Sequence, residues 1–167
     1  GLPVYGGLDL SAVSDLTALV LIAPVETDGK TIWHVKPTFW LPGESVRDRA
    51  KSDRVPYDVW VESGHLNKSP GKTVEYEFVA EYLWEAFKVN DIRKIAFDRW
   101  NFQHLKPWLA KVGFTESQLD GDDAVFVEFG QGFGSISPAL RTLESNLLNE
   151  RVAHGGLLEQ QPDTRHA

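Results

Sequence analysis

Two aspartates stand where a carboxylate is unexpected. Asp9 lies inside an apolar run, between Leu8 and Leu10 of Gly-Leu-Asp-Leu-Ser, and Asp98 closes the run Ile-Arg-Lys-Ile-Ala-Phe that begins at Ile92. A carboxylate in such company costs free energy unless it is paired, hydrogen-bonded or metal-bound. Strand ends at the centre of an α/β sheet are also where functional groups gather. Two acids on neighbouring strands would offer hard oxygen donors to Mg²⁺ or Mn²⁺. Paired metals about 4 Å apart activate water and stabilise the leaving oxygen in phosphodiester cleavage. Asp15 follows Asp9 across a turn and is the candidate auxiliary ligand. The plainer alternative keeps all three as acids that cap turns, bond their own backbone or pair with arginine.

The elements that must position these acids are read from periodicity and turn residues. Val4 to Leu10 is a short strand, and Leu16 to Val25, rich in branched aliphatics, is a second. Thr27-Asp28-Gly29-Lys30 is a hairpin turn, and Thr31 to Leu41 returns as a third strand of an antiparallel meander. Glu44 to Arg54 is helix-like, and Pro56 to Leu66 is a short helix or turn. Val74 to Val89 has helical spacing of its apolar residues. Ile92 to Phe97 is a strand, Phe102 to Val112 a helix stopped by Gly113, and Val125 to Phe129 a further strand. Gly130 to Ser135 is a glycine-rich link. Ser137-Pro138 opens a last helix through Val152, with the serine as N-cap. Antiparallel strands followed by alternating strands and helices predict an α/β fold, a central mixed β-sheet flanked by helices.

Composition bounds the answer. The chain has 167 residues, long enough for one domain with a proper core. It contains no cysteine, which excludes a disulfide framework, a thiol nucleophile and any thiolate metal site. Its formal charge of −7 lacks the basic footprint of a sequence-reading DNA binder, so contact with nucleic acid must be local, metal-bridged or assisted. No secretory signal and no membrane-length apolar run is present, so the cytosol is the expected compartment. The start at Gly1, with no methionine anywhere, reads as a piece of a longer protein.

The ordered set of segments resembles a known family. Gly-Leu-Asp-Leu-Ser at 7–11, Asp15 to Leu19, Pro56 to Trp60, Gly64-His65-Leu66, Ile95 to Trp100, Gly130 to Phe133, Ser137-Pro138-Ala139 and His154-Gly155-Gly156 occur in that order. Together they resemble the nuclease domain of the large terminase subunit of tailed bacteriophages, of the HK97-like type. The resemblance implies an RNase H-like fold over residues 1–156 and an ATPase domain upstream. It implies cleavage of concatemeric double-stranded viral DNA with two divalent metals, Mg²⁺ or Mn²⁺. Asp9 matches the first-strand catalytic acid, Asp98 the second, and Asp15 an additional acid beside the metals. The implied partners are viral DNA, the ATPase domain, the small terminase subunit and the portal, in the cytoplasm of the bacterial host, with no membrane.

The chain departs from the family after Gly156. There the family continues into an apolar stretch, a lysine-bearing loop and a helix with a third catalytic Asp. Here residues 157–167 read as an atypical, disordered tail, and Asp163 is not given the third role. The expectation is a domain without its final piece. The alternative function is a catalytically impaired remnant that binds DNA or a portal. Another RNase H-like enzyme, a resolvase or transposase, fits the Asp98-Arg99-Trp100 context less well.

Other motifs have bland readings. Gly71-Lys72-Thr73 lacks the earlier glycine of a phosphate-binding loop and reads as a turn. His154 reads as structural, with a secondary role lining the metal site. Tryptophans read as core, and Trp100 either as core or as a wall of the site. Lys51, Arg54, Lys68, Lys72, Arg99 and Lys106 read either as solvated surface or as flanks of a DNA path.

Overall fold

The computed structural model describes residues 1–10, 16–62, 64, 66–71, 73–130, 145 and 152–154. Asp15 and its turn, the link 131–135, most of the helix expected over 137–152 and the tail 157–167 lie outside the described residues.

The three-strand meander is present. β1 (Pro3–Asp9) pairs antiparallel with β2 (Thr17–Thr27), which pairs antiparallel with β3 (Lys30–Pro42). The β2–β3 turn has positive φ at both Asp28 (51°) and Gly29 (73°), the requirement that an Asp-Gly pair meets at least cost. β3 carries parallel partners on its other edge: β4 (Leu66–Ser69) along Phe39–Pro42, and β7 (Val152–His154) along Trp33–Val35. On the far side of β1, β5 (Asp91–Phe97) and β6 (Phe126–Glu128) add in parallel. The strand order is β4-β3-β2-β1-β5-β6, with β7 beside β3.

Alternation along these strands builds one packed face. Leu8, Leu19, Leu21, Trp40, Ile95, Phe97 and Phe126 are buried on it. Against them pack Val79 and Leu83 of α3 (Tyr76–Val89), and Phe102, Leu105 and Leu109 of α4 (Arg99–Val112). Each such side chain withdrawn from water contributes on the order of 1.5–3 kcal/mol. Tyr82 ties α3 to β3, with its ring edge-on to Trp40 at 5.3 Å and its hydroxyl 2.9 Å from Thr38 Oγ1. Gly113 ends α4 at φ 134°, and the Trp84 ring lies 2.6 Å from where a Cβ would stand, so only glycine fits.

The crossover from β3 to β4 is a small helical layer. α1 (Val46–Asp53) and α2 (Tyr57–Glu62) close over a second core of Leu41, Val46 and Leu66. A short helix α5 (Glu116–Asp120) follows α4, opened by a capping box between Thr115 and Gln118. No helix among the described residues is long and apolar enough to cross a membrane.

Four elements differ from the sequence reading, the unforeseen α5 among them. The pattern predicts the tail of a helix or turn at Leu66, but the backbone there opens β4 and completes the edge of β3. Val152, expected to end a helix, instead opens β7. α4 starts at Arg99 rather than Phe102, because Asp98 caps it directly at the strand end.

Candidate active site

Asp9 is the last residue of β1, and Asp98 is the first beyond β5. The two strands are parallel neighbours in a register that pairs Leu8 with Phe97. Asp9 and Asp98 therefore occupy the next rung, with backbones about 5 Å apart, the ordinary spacing of adjacent strands. Because Leu8 and Phe97 face α4, the residues after them face the other side of the sheet. There Asp9, Asp98, Gly7, Ala18, Val20, Ala96 and Phe129 help to line a shallow cleft of about 280 Å³. Gly7, Ala18 and Ala96 keep its floor low.

Asp98 has a double position. Its Oδ1 accepts the Trp100 N–H at 3.3 Å, so it is the N-cap of α4. The helix end favours an anion there. Asn101, one turn into the helix, donates from Nδ2 to the Leu10 carbonyl at 3.0 Å and ties the start of α4 to the residue after Asp9. Sequence reasoning does not single out Asn101. Its one signal is its place in the first turn after a strand-end acid.

The apolar neighbours of the two acids in sequence suggest carboxylates held in an apolar interior, and the structure corrects this. Asp9 is exposed and Asp98 half-buried, because each side chain points away from the packed face. Among the described residues neither makes an ion pair. Trp100 is 74% exposed and belongs to no core; the Arg99 guanidinium lies over its ring at 5.4 Å. Arg99 also stands 3.8 Å from Glu128 at the end of β6.

Of the other candidates, His154, Lys106, Lys68, Lys51 and Arg54 stand apart from this pair. Asp15 lies outside the described residues, as does Lys72. The backbone of His154 pairs with Val35 on β3. That is about 14 Å across the sheet and about 13 Å along it from the rung of Asp9, too far to line the cleft. Lys106 is paired with Asp120, and Lys68 is exposed on β4. Lys51 and Arg54 lie in the helical layer beyond β3.

Two carboxylates at adjacent strand ends, lining one cleft, suit a hard divalent cation. Among the described residues no group of three or more Asp, Glu, His or Cys stands close enough to hold a metal. The donor set fits such an ion as a pair, not as a full cage.

The strands and helices form a mixed α/β domain with two acids at the ends of adjacent strands. Comparison with known proteins gives the family. The model for the terminase large subunit, endonuclease domain, matches residues 1–161, and the chain belongs to that family. It is 44% identical to the terminase large subunit of Enterobacteria phage HK97 over 151 residues, 90% of this chain and 28% of that protein. It is 26% identical over 163 residues to protein YmfN of Escherichia coli, 93% of this chain and 33% of that protein. The crystal structure of the HK97 large terminase superposes with a TM-score of 0.80 at 42% identity, covering 93% of this chain and 30% of that one. The chain thus spans a third or less of the relatives it matches.

Proposed function

We propose that this terminase endonuclease domain cuts double-stranded viral DNA by metal-dependent hydrolysis of a phosphodiester, with Asp9 and Asp98 as the metal-holding pair. The observation that supports this most is their placement on one rung of adjacent parallel strands, in an open cleft. Asp15 is the proposed auxiliary acid. Mg²⁺ or Mn²⁺, two per site in the full reading, would supply activation of water and neutralisation of phosphate charge.

The chain's own residues do the rest. Asp9 and Asp98 offer carboxylate oxygens from two strand ends whose separation the ladder fixes. The Trp100 N–H orients Asp98 through one oxygen and leaves the other directed by the cap geometry. Gly7 and Ala96 leave room for a DNA backbone above the sheet. The open cleft admits a polymer, where an enclosed pocket would admit only a small molecule.

The partners in this reading are viral DNA, an ATPase domain, the small terminase subunit and the portal, in the cytoplasm of the host bacterium. Calorimetric titration with Mn²⁺ tests the metal site. The wild-type chain is expected to bind, and Asp9→Asn and Asp98→Asn to lose most of the affinity. Equal affinity in all three proteins would refute the assignment.

A further inference from the structure

A cationic groove runs along α1, in the helical layer beyond β3. Arg47, Lys51 and Arg54 line it with Ala50, Val55 and Pro56, around a cleft of about 380 Å³. Positions 47, 50 and 51 follow the i, i+3, i+4 spacing, so one face of α1 carries two cations beside a small residue, and Arg54, just past the helix end, joins them at the groove. By the same periodicity Asp48 and Asp53 fall on other faces, and Asp53 pairs with Arg49. Among the described residues, Arg47, Lys51 and Arg54 make no ion pair. Like charges at these spacings oppose helix formation. A chain of net charge −7 has carboxylates to spare, yet among the described residues none is paired with these three cations. Arg54 also follows the helix at φ +55°, where glycine or asparagine is the residue of lower strain. The third cation is kept against a local backbone preference.

The sheet puts this groove and the carboxylate pair at one end. β1 and β3 run in the same direction, and Asp9, Ala18 and Phe39 share one rung. α1 begins shortly after β3 ends, so it starts from the same end of the sheet. Two strand spacings, about 10 Å, separate Asp9 from β3. With a rise of about 3.4 Å per nucleotide, a short length of one DNA strand covers that distance.

We propose that the Arg47–Lys51–Arg54 groove is a docking site for the phosphate backbone of DNA, which holds the duplex across the end of the sheet that carries Asp9 and Asp98. The choice of DNA over another polyanion rests on the nuclease reading. Cations on a smooth groove grip phosphates and read no bases, so binding is sequence-tolerant. The groove also gives an acidic chain a local means of holding an acidic polymer.

The test measures binding without cutting. Fluorescence anisotropy of a short labelled duplex is recorded with the 167-residue chain in EDTA over a range of salt. The wild-type chain is expected to bind. The variant Arg47→Ala/Lys51→Ala/Arg54→Ala is expected to bind at least about tenfold more weakly at low salt. Its slope of log affinity against log salt is expected to be shallower by up to about 2.7, roughly 0.9 for each phosphate no longer neutralised. Arg54→Gly is expected to raise the melting temperature and still weaken binding, a combination a purely structural arginine does not give. Wild-type affinity and slope in the triple variant would overturn the proposal, as would failure of the wild-type chain to bind duplex. Cation-dependent binding with no cutting in Mn²⁺ would leave the groove standing and remove the nuclease reading.

Discussion

Asn101 donates a hydrogen bond to the Leu10 carbonyl at 3.0 Å, and this bond ties the start of the Asp98 helix to the end of the Asp9 strand. Each acid is one or a few residues from an end of that link. Asn101→Ala is expected to cost about 1 kcal/mol of stability, the usual net worth of one such bond. It is expected to cost about tenfold in Mn²⁺ affinity, because the metal-holding residues beside it are then less firmly oriented. Denaturant titration and calorimetry read the two effects separately. Reduced stability with unchanged metal affinity would assign Asn101 to folding alone.

Asp98 has a capping role and a proposed metal role, and two substitutions separate them. Asparagine is as good an N-cap as aspartate, so Asp98→Asn should stay within a few tenths of a kcal/mol of wild-type stability. Asp98→Ala should lose about 1 kcal/mol. Both should abolish DNA cleavage. Residual cleavage in Asp98→Asn would show that the charge is not needed.

Adjacent glycines in β1 should respond in opposite ways. At Gly6 a Cβ would stand 2.7 Å from Ile95 Cδ1 and 3.2 Å from the Val20 carbonyl, so Gly6→Ala should destabilise by about 1–3 kcal/mol through overpacking. At Gly7 nothing lies within 4 Å, and valine suits a strand. Gly7→Val should fold as well as wild type but raise the cleft floor and slow cleavage at least about tenfold. Thermal melts and plasmid assays on the two variants check this. Full cleavage by Gly7→Val would place the DNA elsewhere.

Alkaline pH should expose the burial of Tyr76. Desolvation raises its phenol above the ordinary 10.0. A group with a raised folded-state pKa contributes stability that is complete below the unfolded value and is lost as pH climbs through the folded one. Tyr57 moves the same way, first by burial and then by its hydrogen bond to Asp53. Unfolding free energy should therefore fall above about pH 10, and Tyr76→Phe should flatten that fall. Denaturant midpoints across the alkaline range measure it. Identical profiles for both proteins would count against burial as the cause.

The legible parts of the fold are those whose signal is local. Asp28-Gly29 announces its hairpin, the spacing from Val79 to Ala86 announces α3, and the apolar run up to Phe97 announces β5. Asp9 and Asp98 are legible as candidates because a charge inside or at the end of such a run breaks its pattern. β4 and β7 are not legible. Leu66-Asn67-Lys68-Ser69 and Val152-Ala153-His154 are strands only because the edge of β3 offers them backbone partners. The exposure of Asp9 is hidden for a related reason, since it depends on what covers that sheet face. The cation face of α1 is visible only in part. Lys51 and Arg54 stand out as basic residues, but their alignment with Arg47 needs the helix to start at Val46.

The pairing of Asp9 with Asp98 as the cutting centre is tested most directly by nicking of supercoiled plasmid in Mn²⁺. Wild type, Asp9→Asn and Asp98→Asn are compared at equal concentration. Conversion to nicked or linear DNA is predicted for wild type and none for either variant. Conversion by all three, or by none at high protein and Mn²⁺, would contradict that pairing.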